Sequence, residues 1–337
     1  MKAASILATL AGAAFGAWCV WKASMTGWAV PGSGTPTAPA GQHPPRVEPS
    51  GNTCRLDLKG SPVQQTQGFD YWYANQSDAW LSPFVIPSHR LVFCYVPKCG
   101  TSRWQTFLRW LVGVQDWASN PHNRDANGYI GGLMQLKHLP RAEAIQIMLD
   151  PSWTKMAVVR DPLDRLRSAY LDKIAGGNDP NNTHLTKDLF GLPYEAFNAT
   201  NFPDFVTRVE FGMHHALEHE NPHWQRQSRT CDLGKFLPFY QHVFFMAPDK
   251  SMRAELSDCF IDAVAKTAPN PSAVRNFSFG ESAKALAEHR TDAKDHATYD
   301  EQLCQKARQL YAEDYELFRF PQPTCLRDAP HVTWPAL

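Results

Sequence analysis

The sequence predicts an α/β fold: a parallel, P-loop-like sheet flanked by helices forms a single catalytic-sized domain behind an N-terminal transmembrane anchor. A strand–loop–helix pattern occurs at residues 91–112 and returns at 156–173. A helical pattern at 139–149 lies between these units, and a further β-rich run follows at 242–246. Strands that alternate with helices in this way are typical of a parallel sheet.

The first 22 residues predict a short cytoplasmic tip and a transmembrane signal anchor. Residues 3–21 are almost entirely apolar, and Lys2 and Lys22 flank them. At ~1.5 Å per residue, such a helix is about as long as the hydrocarbon core of a bilayer is thick. A cleaved signal peptide is the alternative, but tryptophans near the end of the run suit a membrane interface, which favours the anchor.

Residues 23–52 predict a stem, and residues 53–337 predict a luminal domain. The stem is dense in proline and glycine and has no apolar periodicity, so it cannot bury enough surface to fold. An anchor, a stem and a globular body in this order indicate a single-pass type II membrane protein with its body in the lumen. Four sequons, at Asn75, Asn181, Asn198 and Asn276, are compatible with a luminal glycoprotein.

The first strand–loop–helix unit begins with the apolar run "LVFCYV" at 91–96. Such a run suits a strand that is buried on both faces. After a short loop, apolar residues recur at helical spacing from Trp104 to Val112, with Thr101 or Ser102 as the N-cap.

The second unit repeats this pattern. Its strand ends at Arg160, Asp161 is the predicted N-cap, and Pro162 suits the first helical position. Further along the chain, 203–220 and 300–318 read as amphipathic helices.

The charge balance excludes one class of partner. The chain has 33 Lys plus Arg and 33 Asp plus Glu residues, so no bulk positive field attracts nucleic acid. Any anion site must therefore be built from a few placed residues.

Eight cysteines are compatible with an oxidising compartment. Cys19 lies in the anchor, and the candidates for disulfide bonds are Cys54, Cys231, Cys259, Cys304 and Cys325. Cys94, within an apolar strand, is predicted to be a small buried hydrophobe. Because seven cysteines lie outside the anchor, at least one stays unpaired or pairs between chains, and a homodimer is among the partners considered.

The loop "PKCGTSR" after the first strand predicts an anion site. A helix N-terminus presents backbone N–H groups and partial positive charge, and Lys98 adds a full charge. Gly100 allows close approach of the backbone, and Thr101 and Ser102 supply hydroxyl donors. The loop lacks the G-x-x-x-x-G-K-[ST] spacing, which disfavours a nucleoside triphosphatase.

The second cluster, "RDPLDRLRSAY", offers Arg160 at a strand end and Ser168 on the following helix. Arginine suits bidentate phosphate binding, and serine can donate a second hydrogen bond. The alternative is a solvated helix face on which two arginines pair with three aspartates, namely Arg165 and Arg167 with Asp161, Asp164 and Asp172. Because two such clusters follow successive strands, we favour a shared anion site.

These segments carry a family resemblance. "YVPKCGTSRW" resembles the 5′-phosphosulfate loop, and "VVRDPLDRLRSAYLDK" the 3′-phosphate segment, of the Golgi carbohydrate sulfotransferases, which include the dermatan and chondroitin 4-O-sulfotransferases. "NPHWQRQSRTC" (221–231) and "LYAEDYELFRF" (310–320) are similar to two later motifs of that family, in the same order. The chain looks like a distant member of this group.

The resemblance implies transfer of a sulfuryl group from 3′-phosphoadenosine 5′-phosphosulfate to a carbohydrate hydroxyl, in the Golgi lumen and without a metal. It implies that Lys98 contacts the reacting group. The donor-binding residues it implies are Pro97, Lys98, Cys99, Gly100, Thr101, Ser102, Arg103, Arg160, Asp161, Arg165 and Ser168.

An acceptor hydroxyl also needs a base, for which a neutral histidine is suitable. His122, His138 and His223 are the candidates, and the sequence does not decide among them. His215 and His219 share a predicted helix face, but their spacing is not that of a zinc motif and we expect no metal. Two other functions stay open: a P-loop kinase or phosphotransferase, and a non-catalytic luminal glycan-binding glycoprotein of the same fold.

Overall fold

The computed structural model describes residues 82–175, 201–214, 221–247, 250–279, 297–320 and Pro323. The predicted anchor (1–22), the stem (23–52) and the start of the luminal domain lie outside these residues. Three of the four sequons lie outside them as well, while Asn276 is exposed. No helix within the described ranges is both long and apolar enough to cross a membrane.

A four-stranded mixed sheet forms the centre of the described structure. Its strands are β1 (Phe84–Ile86), β2 (Leu91–Tyr95), β3 (Thr154–Arg160) and β4 (His242–Met246), in that spatial order. The pairs β2–β3 and β3–β4 are parallel, as the sequence predicts, whereas β1 is an antiparallel edge strand that it did not indicate. All of β2 and most of β3 are buried, because helices cover both faces.

Nine α-helices accompany the sheet in the described ranges. They are α1 (Thr101–Leu111), α2 (Arg141–Leu149), α3 (Pro162–Lys173), α4 (Phe202–His214), α5 (Leu233–Phe236), α6 (Lys250–Ala265), α7 (Pro271–Arg275), α8 (Glu301–Leu310) and α9 (Ala312–Leu317). The helix predicted at 300–318 is divided at Tyr311, whose hydroxyl donates a hydrogen bond to the backbone oxygen of Trp224.

An aromatic cluster packs α1 and α6 against the sheet. Trp104 stacks on Phe260 with 4.4 Å between ring centroids, and Phe93 meets the same ring edge-on at 5.3 Å. Phe107 packs in the same cluster and is fully buried. Aromatic pairs of this kind contribute about 0.5–1.5 kcal/mol each beyond the burial of their area. They fix the start of α1, which is the part of the helix that faces the loop after β2.

A disulfide bond joins Cys94 in β2 to Cys231, which is 137 residues further along the chain. The prediction of Cys94 as a plain buried hydrophobe is therefore wrong, since an apolar strand pattern carries no information about so distant a partner. Cys259 and Cys304 are disulfide-bonded as well. Among the described residues Cys99 is a free, buried thiol, which agrees with the expectation that at least one cysteine stays unpaired.

Replacing both Cys94 and Cys231 with alanine is expected to lower the free energy of unfolding by about 2–5 kcal/mol, because a long loop is no longer closed in the unfolded chain. Urea unfolding of the variant beside the parent protein measures this change. An unchanged transition midpoint would contradict a stabilising role for the bond.

Candidate active site

The loop after β2 makes a tight turn into α1. Lys98 and Gly100 both have positive φ values, 68° and 74°, which is the left-handed region. The Cys99 amide donates to the Val96 carbonyl oxygen over 3.1 Å, and the Thr101 hydroxyl donates to the same oxygen over 2.9 Å. Both bonds use the Val96 carbonyl oxygen as their acceptor, so this oxygen faces the inside of the turn. The first N–H groups of α1 have no acceptor within the helix. The loop therefore leads directly into the N-terminus of α1, as the sequence predicts.

Gly100 fits where a side chain would not. A Cβ atom at this position would lie 3.2 Å from the Trp104 Nε1 atom, and its φ is unfavourable for other residues. The indole Nε1–H donates to the Cys99 carbonyl oxygen over 2.9 Å, so this side chain is fixed against the loop. Tight packing below the loop thus holds its backbone in place.

Arg160 brings the second predicted cluster to this loop. It ends β3, and its Nη1 donates to the Lys98 carbonyl oxygen over 3.3 Å. Its Nε atom is buried and meets no hydrogen-bond acceptor among the described residues. A buried N–H group without an acceptor costs about 1–3 kcal/mol, and a bound anion would supply the acceptor.

Arg165 supports the loop rather than lining the site. Its side chain is fully buried, and three hydrogen bonds of 2.7–2.8 Å connect it to the backbone oxygens of Pro97, Pro222 and Gln225. The sequence predicts Arg165 as a donor contact; the structure corrects this, because its guanidinium is already committed to these carbonyls. Arg165 thereby joins the loop after β2 to the segment that carries His223.

Gln227 and Asp314 are supporting residues that sequence reasoning missed. The Gln227 side chain accepts from the Arg160 amide over 3.0 Å and donates to the Arg160 carbonyl oxygen over 2.8 Å. Asp314 is fully buried and accepts from the backbone amides of Gln227 and Ser228 over 2.8 and 2.9 Å. Burial raises the pKa of Asp314, and the two amides oppose that rise. The signal was present, since Asp314 is the aspartate of the matched C-terminal motif.

A cluster of three charges lies beside the loop. The Lys98 ammonium is 3.1 Å from Asp172 Oδ2, and the Lys173 ammonium is 3.2 Å from the same oxygen. The exposed fractions of the Lys98 and Asp172 side chains are 13% and 14%. Burial lowers the pKa of Lys98, and the neighbouring Asp172 carboxylate opposes this. Asp172 was read from the sequence only as a member of a solvated helix face.

His223 is the candidate base whose pKa is affected by the charges of this cluster. Asn221 Oδ1 accepts from the His223 backbone amide over 2.9 Å and lies 2.7 Å from its ring Nδ1. Because a carbonyl oxygen cannot donate, Nδ1 carries the proton and Nε2 is the basic nitrogen. Burial, followed by the charges of Lys173 and Lys98, holds the pKa of His223 well below its ordinary value.

The other two candidate histidines have different surroundings. The ring Nε2 of His122 lies 2.8 Å from the Ser102 hydroxyl at the start of α1, and this histidine is exposed. The ring Nδ1 of His138 accepts from the Gln135 amide over 3.1 Å and closes a short 3₁₀ turn, Leu136–His138. His138 thus has a local structural function, whereas His122 touches the predicted donor loop.

Two further predicted donor contacts, Cys99 and Arg103, have protein partners. The Cys99 thiol donates to Gln227 Oε1 over 3.4 Å, and the Arg103 guanidinium lies 4.0 Å from the centre of the Phe279 ring. Arg103 therefore points towards the aromatic cluster. Ser168 is largely buried on α3, one helical turn before Asp172, so the two share a face of the helix.

Asp161 is the N-cap of α3, as its position before Pro162 predicts. Its Oδ1 accepts from the amides of Leu163 and Asp164, both over 3.0 Å, and its Oδ2 accepts from the Tyr315 hydroxyl over 3.0 Å. Burial raises the pKa of Asp161 to about 6. With its oxygens occupied in this way, Asp161 orients the helix that carries Ser168 instead of contacting a ligand.

Asp161→Asn is expected to make the protein more stable than the parent above pH 6, and this advantage should be much smaller at pH 4.5. Because the pKa of Asp161 is higher in the folded than in the unfolded state, the parent protein loses stability as the pH rises from 3.8 through about 6. Asparagine can still cap the helix, but it does not ionise, so the variant does not lose this stability. The difference corresponds to at most about 3 kcal/mol. Thermal unfolding at pH 4.5 and 7.5 tests this; parallel pH dependences for the two proteins would contradict it.

Comparison with known proteins gives a consistent result. The model of the sulfotransferase family matches residues 83–321. Carbohydrate sulfotransferase 9 of Homo sapiens is 27% identical over 71% of this chain and 53% of its own length, and carbohydrate sulfotransferase 8 of Homo sapiens is 26% identical over 71% and 55%. Carbohydrate sulfotransferase 14 of Mus musculus is 25% identical over 73% and 62%.

The chain thus spans somewhat more than half the length of these curated relatives. No solved structure matches it significantly. The matched region begins just before β1 and ends just after α9, so it contains both polar clusters, the His223 segment and Asp314. The chain belongs to the sulfotransferase family.

Proposed function

We propose that this protein transfers a sulfuryl group from 3′-phosphoadenosine 5′-phosphosulfate to a hydroxyl group of a carbohydrate acceptor. Membership of the sulfotransferase family supports the reaction class, and the names of the relatives, all carbohydrate sulfotransferases, support the acceptor class. The N-terminal segment supports a single-pass type II protein with its body in the Golgi lumen.

The observation that carries the proposal is the contact between the two polar clusters. Lys98 follows β2 and Arg160 ends β3, and these strands are parallel neighbours. The Arg160 side chain reaches the Lys98 carbonyl oxygen, so the two positively charged residues lie at one edge of the sheet. The donor carries two separate anionic groups, a 5′-phosphosulfate and a 3′-phosphate, and a pair of neighbouring cationic sites suits such a molecule.

Each of the two sites would bind one anionic group of the donor. The first amides of α1 and the Lys98 ammonium would hold the 5′-phosphosulfate, and Arg160 with Ser168 would hold the 3′-phosphate. The unsatisfied Arg160 Nε–H fits this assignment. When bound, the donor supplies the activated sulfuryl group. Once the donor is bound, the ammonium and the amides already face the leaving phosphate, so they would stabilise the charge that develops on it without reorganising.

His223 is the base that the geometry favours. Its Nδ1 proton is held by Asn221, so Nε2 is the nitrogen that would take the proton from the acceptor hydroxyl. Burial, together with the charges of the neighbouring lysines, lowers the pKa of His223 and favours the neutral ring, which is the form that a base requires. His138 is occupied in a turn, and His122 contacts Ser102 in the donor loop.

Equilibrium binding with labelled donor and labelled ATP tests the proposal. We expect saturable binding of the phosphosulfate donor, competition by 3′-phosphoadenosine 5′-phosphate, and no saturable binding of ATP. Incubation with the labelled donor and a library of glycan acceptors should then label a subset of them. Saturable binding of ATP alone would instead support the phosphotransferase hypothesis, and donor binding without transfer would support the non-catalytic one.

A further inference from the structure

Asp172 lies on the last turn of α3, and its carboxylate contacts the ammonium groups of Lys98 and Lys173. A single carboxylate oxygen, Oδ2, is 3.1 Å from the Lys98 ammonium and 3.2 Å from the Lys173 ammonium. All three side chains are largely buried, with exposed fractions of 13%, 14% and 19% for Lys98, Asp172 and Lys173. Water screens such a group weakly, so each charge depends on its neighbours.

We propose that Lys98 exchanges partners during the reaction cycle: it pairs with Asp172 while the site is empty and with the phosphosulfate group when the donor binds. Asp172 is then a positioning residue, which keeps the Lys98 ammonium charged and correctly placed until the donor arrives. This inference rests on the proposed function, because it requires an anionic donor at Lys98.

The arrangement allows the exchange without leaving a buried charge unpaired. An ammonium in a poorly solvated position needs an anionic partner at every stage, and Asp172 provides one before binding. After Lys98 moves to the donor, Lys173 still neutralises Asp172 through the same oxygen. Two lysines and one carboxylate thus carry a net charge of +1, which an incoming anion compensates.

The same pairing must compete with the donor. A site whose lysine is occupied by an internal carboxylate binds an external anion less tightly than its intrinsic affinity allows. Removing the carboxylate should therefore strengthen binding. Loss of a merely structural residue would weaken it, so the sign of the change separates the two explanations.

Asp172→Asn is the decisive variant. At pH 6.5 we expect the donor and the product nucleotide, 3′-phosphoadenosine 5′-phosphate, to bind about tenfold more tightly than to the parent protein, as measured by titration calorimetry. We expect kcat to fall, because the product leaves more slowly. Asp172→Glu keeps the competing charge and should restore donor affinity to within about twofold.

Asp164→Asn is the matched control, since it makes the same change in charge on the same helix. Asp164 lies two turns earlier, near the N-cap Asp161, and we expect unchanged donor affinity in this variant. Equal tightening in both variants would show a general charge effect and overturn the exchange.

Lys173→Met supplies a second test, which also applies if Asp172→Asn does not fold. Without Lys173, the Asp172 carboxylate competes more strongly for Lys98, so we expect donor affinity about tenfold weaker than in Lys235→Met, an exposed lysine replaced in the same way. Equal affinities in these two variants would overturn the exchange.

Unchanged or weaker donor binding by folded Asp172→Asn would also overturn the exchange while leaving the proposed function intact. A parent protein that does not bind the donor at all would overturn both.

Discussion

Replacing Lys98 with alanine is expected to lower kcat for sulfuryl transfer by about 10³-fold. The ammonium is the charged group of the loop after β2, and removal of a single pre-placed donor to a developing oxyanion typically costs 10²–10³ in rate, with a full charge at the upper end. Single-turnover transfer with labelled donor measures this loss. The backbone of the loop should persist, because its hydrogen bonds come from Cys99, Thr101 and Arg165.

A suitable control for Lys98→Ala is Lys235→Ala, which removes an exposed lysine that pairs with Asp232. The control should retain parental turnover, and both variants should show parental far-UV circular dichroism. If the turnover of Lys98→Ala is within threefold of the parental value, the ammonium has no part in the mechanism. Loss of the folded signal would instead assign Lys98 to stability.

Replacing His223 with glutamine is expected to lower kcat by about 10²–10⁴-fold with little change in donor affinity. A general base contributes an acceleration of this size, and glutamine cannot take up a proton. Since the pKa of His223 lies well below its ordinary value, the ring is neutral through the physiological range. Parental kcat should therefore stay flat between about pH 6.5 and 7.5 and decline only in more acidic solution, where the imidazole becomes protonated.

His214→Gln is the matched control for this variant, because His214 is exposed at the end of α4. It should retain parental kcat and its pH profile. A large loss of kcat in His122→Gln, together with normal turnover in His223→Gln, would transfer the role of base to the histidine beside Ser102.

Much of the fold follows from local patterns in the sequence. The apolar runs at 91–96 and 242–246 form strands, and Asp161 followed by Pro162 starts α3 as predicted. These features depend on residues that are close together in the chain. The antiparallel edge strand β1 has only three residues, which is too short for a periodic signal.

The contacts of the predicted site residues could not be predicted in this way, because they involve residues that are far apart in the chain. Arg165 has the same sequence context as a surface arginine, but carbonyl oxygens from more than 55 residues away on either side enclose it. Cys94 is bonded across an even longer separation. The sequence placed Asp172 and Lys173 next to each other without indicating that Lys98 joins them. Residue type and spacing therefore predict where a site lies, while partners must be read from the fold.

The position of Arg165 has a consequence for how new acceptor preferences could arise in this family member. One guanidinium fixes the spacing between the loop of Lys98 and the segment of His223, and its hydrogen-bond partners are backbone atoms, which are the same whatever side chains surround them. Binding grooves are commonly lined by surface loops, and we predict that substitutions in the surface loop at 113–134 leave that spacing unchanged. The alignment of the reacting groups and the choice of acceptor can evolve separately.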